Sequence, residues 1–379
     1  MKKTLAALAV LGTFAGVSAA ANVTLYGLVD EGLVYSHYDQ DADGTDSVDN
    51  FGLQSGVNAG SRWGIKGEEE IGSVTVGFNL ESGFNADDGT SAQGGRLFGR
   101  MALLYVRGAY GELAAGRTGA LTSNTGRYGL AGATSALGTA YGDYTALASA
   151  AFANTLQRVD NMLTYKTPTF AGFTGYAQYS FRMDDKATDG TEGTSAADRY
   201  YALGLKYANG PFNAVLIADM NDYAATPDDP KDYDDGYTVT LGGNYDFGPA
   251  RLYLAGQYFD EARVSTFASN GVMTDAIANE GLTGSKLQGY GLLLSASFPV
   301  AGGTLIAGGA YMDAENADSV ENDFDYSRLV GTLAYEYHLS KRTMVYAVAS
   351  YGQDKIDPDG KSSLEPSYAK AGFGLLHRF

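Results

Sequence analysis

A period of two, rather than 3.6, runs through this sequence. Val74, Val76, Phe78 and Leu80 alternate with Thr75, Gly77, Asn79 and Glu81. Tyr201, Leu203, Leu205 and Tyr207 oppose Tyr200, Ala202, Gly204 and Lys206 in the same way. So do Tyr237, Val239, Leu241 and Tyr245 against Thr238, Thr240, Asn244 and Asp246, and Leu329, Leu333, Tyr335 and Tyr337 against Arg328, Thr332, Glu336 and His338. One apolar and one polar face per segment is the pattern of strands. Beyond the N-terminal region no run of about 18 apolar residues without charge occurs, so no transmembrane helix is available. A membrane-inserted form has to be a closed barrel, because only closure satisfies every backbone group in hydrocarbon.

The two faces separate a barrel from a soluble sandwich. A sandwich turns its polar face to bulk water and fills it with Lys, Glu and Thr. Here the polar face is rich in Gly, Thr, Asn and scattered charges, while the apolar face often begins and ends with Tyr. With 51 Gly, 28 Tyr, 8 Pro and a single Trp, this suits curved strands with an outward lipid band between two aromatic girdles.

Connections alternate in length. Short links fall at 69–72, 209–211, 247–249 and 339–341, and long ones at 39–58, 182–198, 221–234, 264–285 and 315–323. The expected fold is all-β: a transmembrane antiparallel up-and-down barrel with short periplasmic turns and long extracellular loops. About sixteen strands are counted, with eighteen as the alternative. The segment 118–156 is too long for a turn and is rich in small residues, with Arg127 and Asp143 as its charges. It is expected to fold into the pore as a constriction loop, the other reading being an external loop.

Lys2 and Lys3, the apolar run from Leu5 to Val17 and the small residues Ser18 to Ala21 have the order of a secretory signal peptide, assigned to residues 1–20, with 21–379 as the barrel. The formal charge of −18 excludes a nucleic-acid binder, which needs basic patches. There is no Cys, hence no disulfide, thiolate metal site or Cys nucleophile. The histidines His37, His338 and His377 are assigned to a loop, the short-turn rim and the lipid face, which assembles no catalytic triad or zinc site. No enzyme and no cofactor are expected. Asp39, Asp41 and Asp43, followed by Gly44, resemble the start of a calcium-binding loop, but the twelfth position is Asn50 and no flanking helices are expected. A solvated acidic loop is the alternative there.

Several segments carry a more specific likeness. Val23 to Asp30, Ser61 to Glu69, Leu97 to Arg100 with Gly116 and Arg117, Arg158 to Asn161 leading to Tyr165 to Pro168, and the closing Ala371 to Phe379 resemble the strands of the trimeric general porins of Gram-negative outer membranes, most closely the beta-class proteobacterial branch. The resemblance spans the mature length and implies passive diffusion of ions and small hydrophilic solutes, a homotrimer, and contacts with lipopolysaccharide, outer-membrane lipid and the barrel-assembly machinery. It implies that Phe373, Leu375 and Phe379 form the assembly signal. It also implies a basic constriction wall, for which parity adds Lys66 and Lys166 to Arg62, Arg100 and Arg158. Arg100 is assigned the parity of Ala102, opposite Met101, Leu103 and Tyr105. Arg117, Arg127 and Asp143 are assigned to the constriction loop facing that wall. With so little acid in the loop, the expected eyelet is weakly anion-preferring or nearly unselective. The alternatives are a barrel serving adhesion or receptor binding through its loops, and a substrate-specific sugar channel. The latter would want a lumenal aromatic ladder, for which Tyr26, Tyr200, Tyr253 and Tyr346 are scattered candidates.

Overall fold

The computed structural model describes residues 22–39, 41, 46–123, 125–138, 140–141, 151–153, 158–184, 191–194, 196–224, 234–263, 286–317, 324–360 and 362–379. The assigned signal segment 1–20 lies outside them. The strands are β1 (Asn22–Asp39), β2 (Val48–Ser55), β3 (Arg62–Ile71), β4 (Val74–Gly83), β5 (Met101–Gly108) and β6 (Gly111–Thr118). Then follow β7 (Val159–Lys166), β8 (Phe173–Ser180), β9 (Arg199–Asn209), β10 (Phe212–Asp222), β11 (Gly236–Asp246) and β12 (Arg251–Arg263). The last five are β13 (Lys286–Val300), β14 (Gly303–Asn316), β15 (Phe324–His338), β16 (Thr343–Pro358) and β17 (Ser367–Arg378).

These strands form one antiparallel sheet in which each strand from β3 to β17 pairs with the next and β1 closes the sheet against β17. β2 lies opposite Glu31 to Tyr38 of β1, and β3 lies opposite Asn22 to Leu28. The two are successive parts of one interrupted stave, so the closed barrel has 16 staves. The stretch 39–58, expected as a loop, therefore contains a strand, and His37 sits on β1 rather than in a loop. A strand forms there because Tyr35 and His37 on the outer face of β1 both reach Asp49 of β2, at 2.6 and 2.9 Å. Cross-strand pairs of this kind stabilise a hairpin.

Seam closure uses the chain end. Phe379 and Gly27 exchange two backbone hydrogen bonds of 3.0 and 3.1 Å, and the Phe379 ring lies where a side chain on residue 27 would stand. Glycine is required at that point because a Cβ would also stand 2.5 Å from the Arg62 backbone carbonyl oxygen, which cannot move aside as a ring can. Phe373 and Leu375 project outward on β17.

The apolar face points away from the barrel: Leu203, Leu241 and Leu254 are more than 60% exposed. Surface of this kind is stable against hydrocarbon and not against water. Aromatic contacts mark both rims, with Phe173 on Tyr207 and Tyr245 on Phe247 near the short turns, and Tyr237 on Tyr258 near the long-loop end. The buried clusters lie inside the lumen. There Leu121, Tyr128 and Leu130 from the segment between β6 and β7 pack on Met162, Tyr200, Val215 and Ile217.

Candidate functional site

The segment after β6 follows the inner wall across the barrel. The Leu121 backbone N–H donates to Gln178 Oε1 of β8 (2.9 Å), and Thr122 Oγ1 donates to Asp219 of β10 (3.1 Å). Asn244 of β11 donates to the Ala133 carbonyl (2.8 Å), and Ser295 of β13 accepts from the Ala136 N–H (2.9 Å). On the return, the Ala153 N–H donates to Gln257 of β12 (2.6 Å). These partners all sit on the polar face of their strands, so period-two alternation directs them inward, where they satisfy the loop backbone and, at Asp219, the Thr122 hydroxyl.

On the wall formed by β3 to β7, five guanidiniums converge. Arg62 opens β3, and its Nε donates to the Gly60 carbonyl (2.9 Å). Arg100 donates to Glu81 of β4 at 2.7 Å, and the same carboxylate lies 3.9 Å from Arg62. Arg158, just before β7, donates through Nε to the Arg100 carbonyl (3.2 Å). Arg117 donates to the Gly99 carbonyl (2.8 Å) and pairs with Asp160. Arg96, from the segment between β4 and β5, bridges Asp160 and Asp184 at 2.9 and 2.6 Å. Five positive groups against Glu81, Asp160 and Asp184 leave a surplus of two. Burial, and next the neighbouring Arg100 and Arg117, lower the proton affinity of Arg158. A guanidinium so displaced still carries its charge at neutral pH.

The comparisons with known proteins agree with this architecture. A family model described as Gram-negative porin matches residues 6–357. The chain belongs to the Gram-negative porins. An outer membrane porin protein of Bordetella pertussis is 35% identical over 413 residues, covering 100% of both chains. Outer membrane porin protein 32 of Delftia acidovorans is 31% identical over 360 residues, covering 94% of this chain and 90% of the relative. Among solved structures, an anion-selective porin from Comamonas acidovorans superposes with a TM-score of 0.66 at 25% identity, covering 95% of this chain and 100% of that one.

Several residues of this porin stand elsewhere than the sequence suggests. Arg100 does not share the orientation of Ala102. Met101, Leu103 and Tyr105 are buried inside, while Leu104 and Val106, on the parity of Ala102, are exposed outside. Arg100 enters the lumen because it precedes the first residue of β5 and is not held to the strand's alternation. Arg117 belongs to β6 and not to the loop. The register shifts between Gly116 and Thr118, with Gly116 at φ +129, and that bulge turns Arg117 onto the wall.

Arg127 does stand in the loop, but it is pinned to the barrel. It donates to both oxygens of Glu112 on β6 (2.9 and 2.7 Å) and lies 4.0 Å above the Tyr105 ring. Hydrogen bonding to Glu112 raises its proton affinity further. Asp143 lies outside the described residues. Lys66 and Lys166 share the inward parity but not the level. Lys66 is about 13 Å along β3 from Arg62, over the Tyr26 ring, and Lys166 stands roughly 25 Å along from Arg158, opposite Glu112.

The calcium candidate gains no support. The Asp41 carboxylate accepts the Glu365 N–H (2.9 Å), and Asp43 lies outside the described residues. Among the described residues no group of three metal-ligating side chains comes together. Arg96, Glu81 and Asp160 were not identified from sequence. Alternation does place Glu81 inward opposite Leu80, so its part was available. No local pattern marks Arg96, which reaches the wall from a loop.

Proposed function

We propose that this outer-membrane porin of the Gram-negative type, a diffusion channel for ions and small hydrophilic solutes, prefers anions, and that Arg62, Arg96, Arg100, Arg117 and Arg158 set that preference. The supporting observation is the arginine surplus on one wall, with no acidic residue among the described part of the loop that follows β6. Within a Debye length of about 8 Å such charges act on a passing ion with little screening. The related structure from Comamonas acidovorans is described as anion-selective, which favours the same sign here. Reversal potential in a potassium chloride gradient across a planar bilayer tests the proposal. A chloride-side potential is expected in the parent, moving toward potassium in Arg62→Ala, Arg100→Ala and Arg158→Ala. Three variants indistinguishable from the parent would refute the assignment.

Three further assignments belong to the same reading. Residues 1–20 serve as an export signal. The closing strand with Phe373, Leu375 and Phe379 is read by the barrel-assembly machinery, and the acidic outer loops meet lipopolysaccharide. The porin works as a homotrimer, supported by Glu31. That side chain projects outward from β1, yet both its carboxylate oxygens are buried without a hydrogen-bond partner in the single chain. Against lipid such a group is costly, and a subunit contact would supply its donors.

A further inference from the structure

The interruption between β2 and β3 has a definite shape. Residues 56–61 leave the sheet and turn into the lumen, beginning at Gly56, whose φ of +76 only glycine adopts without strain. Asp30 of the unbroken β1 opposite holds this hook. Its carboxylate accepts the N–H groups of Asn58 (2.7 Å) and Ala59 (2.6 Å) and the Tyr346 hydroxyl (2.5 Å). Its backbone carbonyl accepts the Gly56 N–H (2.8 Å). Val57 is fully buried over Gly32 of β1 and Gly372 of β17, where the missing side chains make room for it.

Asn58 then reaches the segment that crosses the lumen. Its carbonyl accepts the Tyr141 N–H at 2.7 Å. Its amide donates to Glu336 of β15 at 3.1 Å, and the Tyr141 hydroxyl donates to the same oxygen at 3.1 Å. The Tyr141 ring meets Tyr346 edge to face, with centroids 5.6 Å apart. Asp30, Asn58, Tyr141 and Tyr346 are all buried. Tyr141 belongs to a segment that leaves the barrel at β6 and returns at β7, yet this contact ties it to β1, β15 and β16 on another part of the wall.

We infer that the hook at 56–61 is the anchor of the constriction loop, and that Asn58 is the positioning residue that fixes how far the loop projects into the channel. The sheet gives up one stretch of pairing in its second stave, and the freed backbone is spent on the loop. A buried hydrogen-bond network with every member satisfied specifies one arrangement, and losing a member leaves alternatives of similar energy. Asn58 and Asp30 therefore act on pore size, while the arginine wall acts on charge preference, and the two effects separate in one experiment.

The test compares Asn58→Ala, Tyr141→Phe and Asp30→Asn with the parent in planar bilayers, with liposome swelling in sugars of graded size. Asp354→Asn is the control, since the partners it weakens, Arg328 and Tyr326, both belong to β15 of the barrel wall and not to the loop. Expected are open-channel current noise raised by about two-fold or more, conductance sublevels and a shifted sugar cut-off in the three variants. Their reversal potential should stay at the parent value, and the control should keep quiet current despite lower stability. Parent-like noise and cut-off in Asn58→Ala and Tyr141→Phe would overturn the inference, whether or not Asp30→Asn assembles. So would a change confined to reversal potential, or equal noise in the control.

Discussion

Arg158 donates through its Nε to the backbone carbonyl of Arg100 at 3.2 Å, so two cationic side chains from loops 58 positions apart occupy one patch of the lumen wall. Like charges repel, and what permits the arrangement is the partial compensation by Glu81 and Asp160. Each carboxylate thus tunes a positive field and does not form the opposite pole of a transverse one.

Removing that compensation should strengthen anion preference. At an effective dielectric near 20, a charge pair at about 4 Å interacts by ~4 kcal/mol, and a passing ion that feels only about a quarter of that changes its occupancy several-fold. Glu81→Gln, which releases Arg62 and Arg100 together, is therefore expected to move the reversal potential further to the chloride side. A shift toward potassium would contradict the role assigned to Glu81.

Lys66 and Lys166 make the contrasting case. Both point inward, but roughly 13 and 25 Å along their strands from Arg62 and Arg158. Lys166→Ala should leave selectivity close to the parent's and Lys66→Ala should change it less than Arg62→Ala does. Reversal potentials recorded at 0.1 M salt, where screening is moderate, check this ordering.

Arg328 and Asp354 form the most buried ion pair among the described residues, 3.0 Å apart with side chains 4% and 0% exposed, and Tyr326 adds a hydrogen bond of 2.8 Å. Arg328→Ala leaves a carboxylate without its cation, a change worth about 3–5 kcal/mol. Urea unfolding of the refolded barrel should register it. Arg328→Lys should restore only part of the loss, because an ammonium cannot reproduce the planar fork.

Glu31 and Gly27, both on the outward parity of β1, test two different steps of assembly. Glu31→Leu is expected to abolish heat-stable trimers on a gel while leaving the folded monomer. Trimers that persist unchanged would place this residue against lipid or solvent. Gly27→Ala puts a methyl group against the Phe379 ring, so the fraction reaching the heat-modifiable folded form should fall, as it should when Phe379 is deleted.

Alternation alone told which side chains of β3, β4, β9 and β15 enter the lumen, because a strand has a fixed period and a one-residue slip would expose every apolar group to water. The same rule gives Arg100 the parity of Ala102, which faces outward; Arg100 still enters the lumen, because alternation holds only inside a regular strand and Arg100 precedes β5. Arg117, expected in the loop, lies on β6, where a bulge at Gly116 turns it onto the wall. Sequence likewise determined the class of the fold: even-numbered antiparallel staves, an apolar exterior, closure through the terminal Phe379, and one long inward segment. What tertiary structure decided was every meeting between distant positions. Arg96 finds Asp160 across 64 residues, and Tyr141 finds Glu336 across 195. Period and composition are local quantities, whereas those meetings depend on how the cylinder closes and on a six-residue break in its second stave.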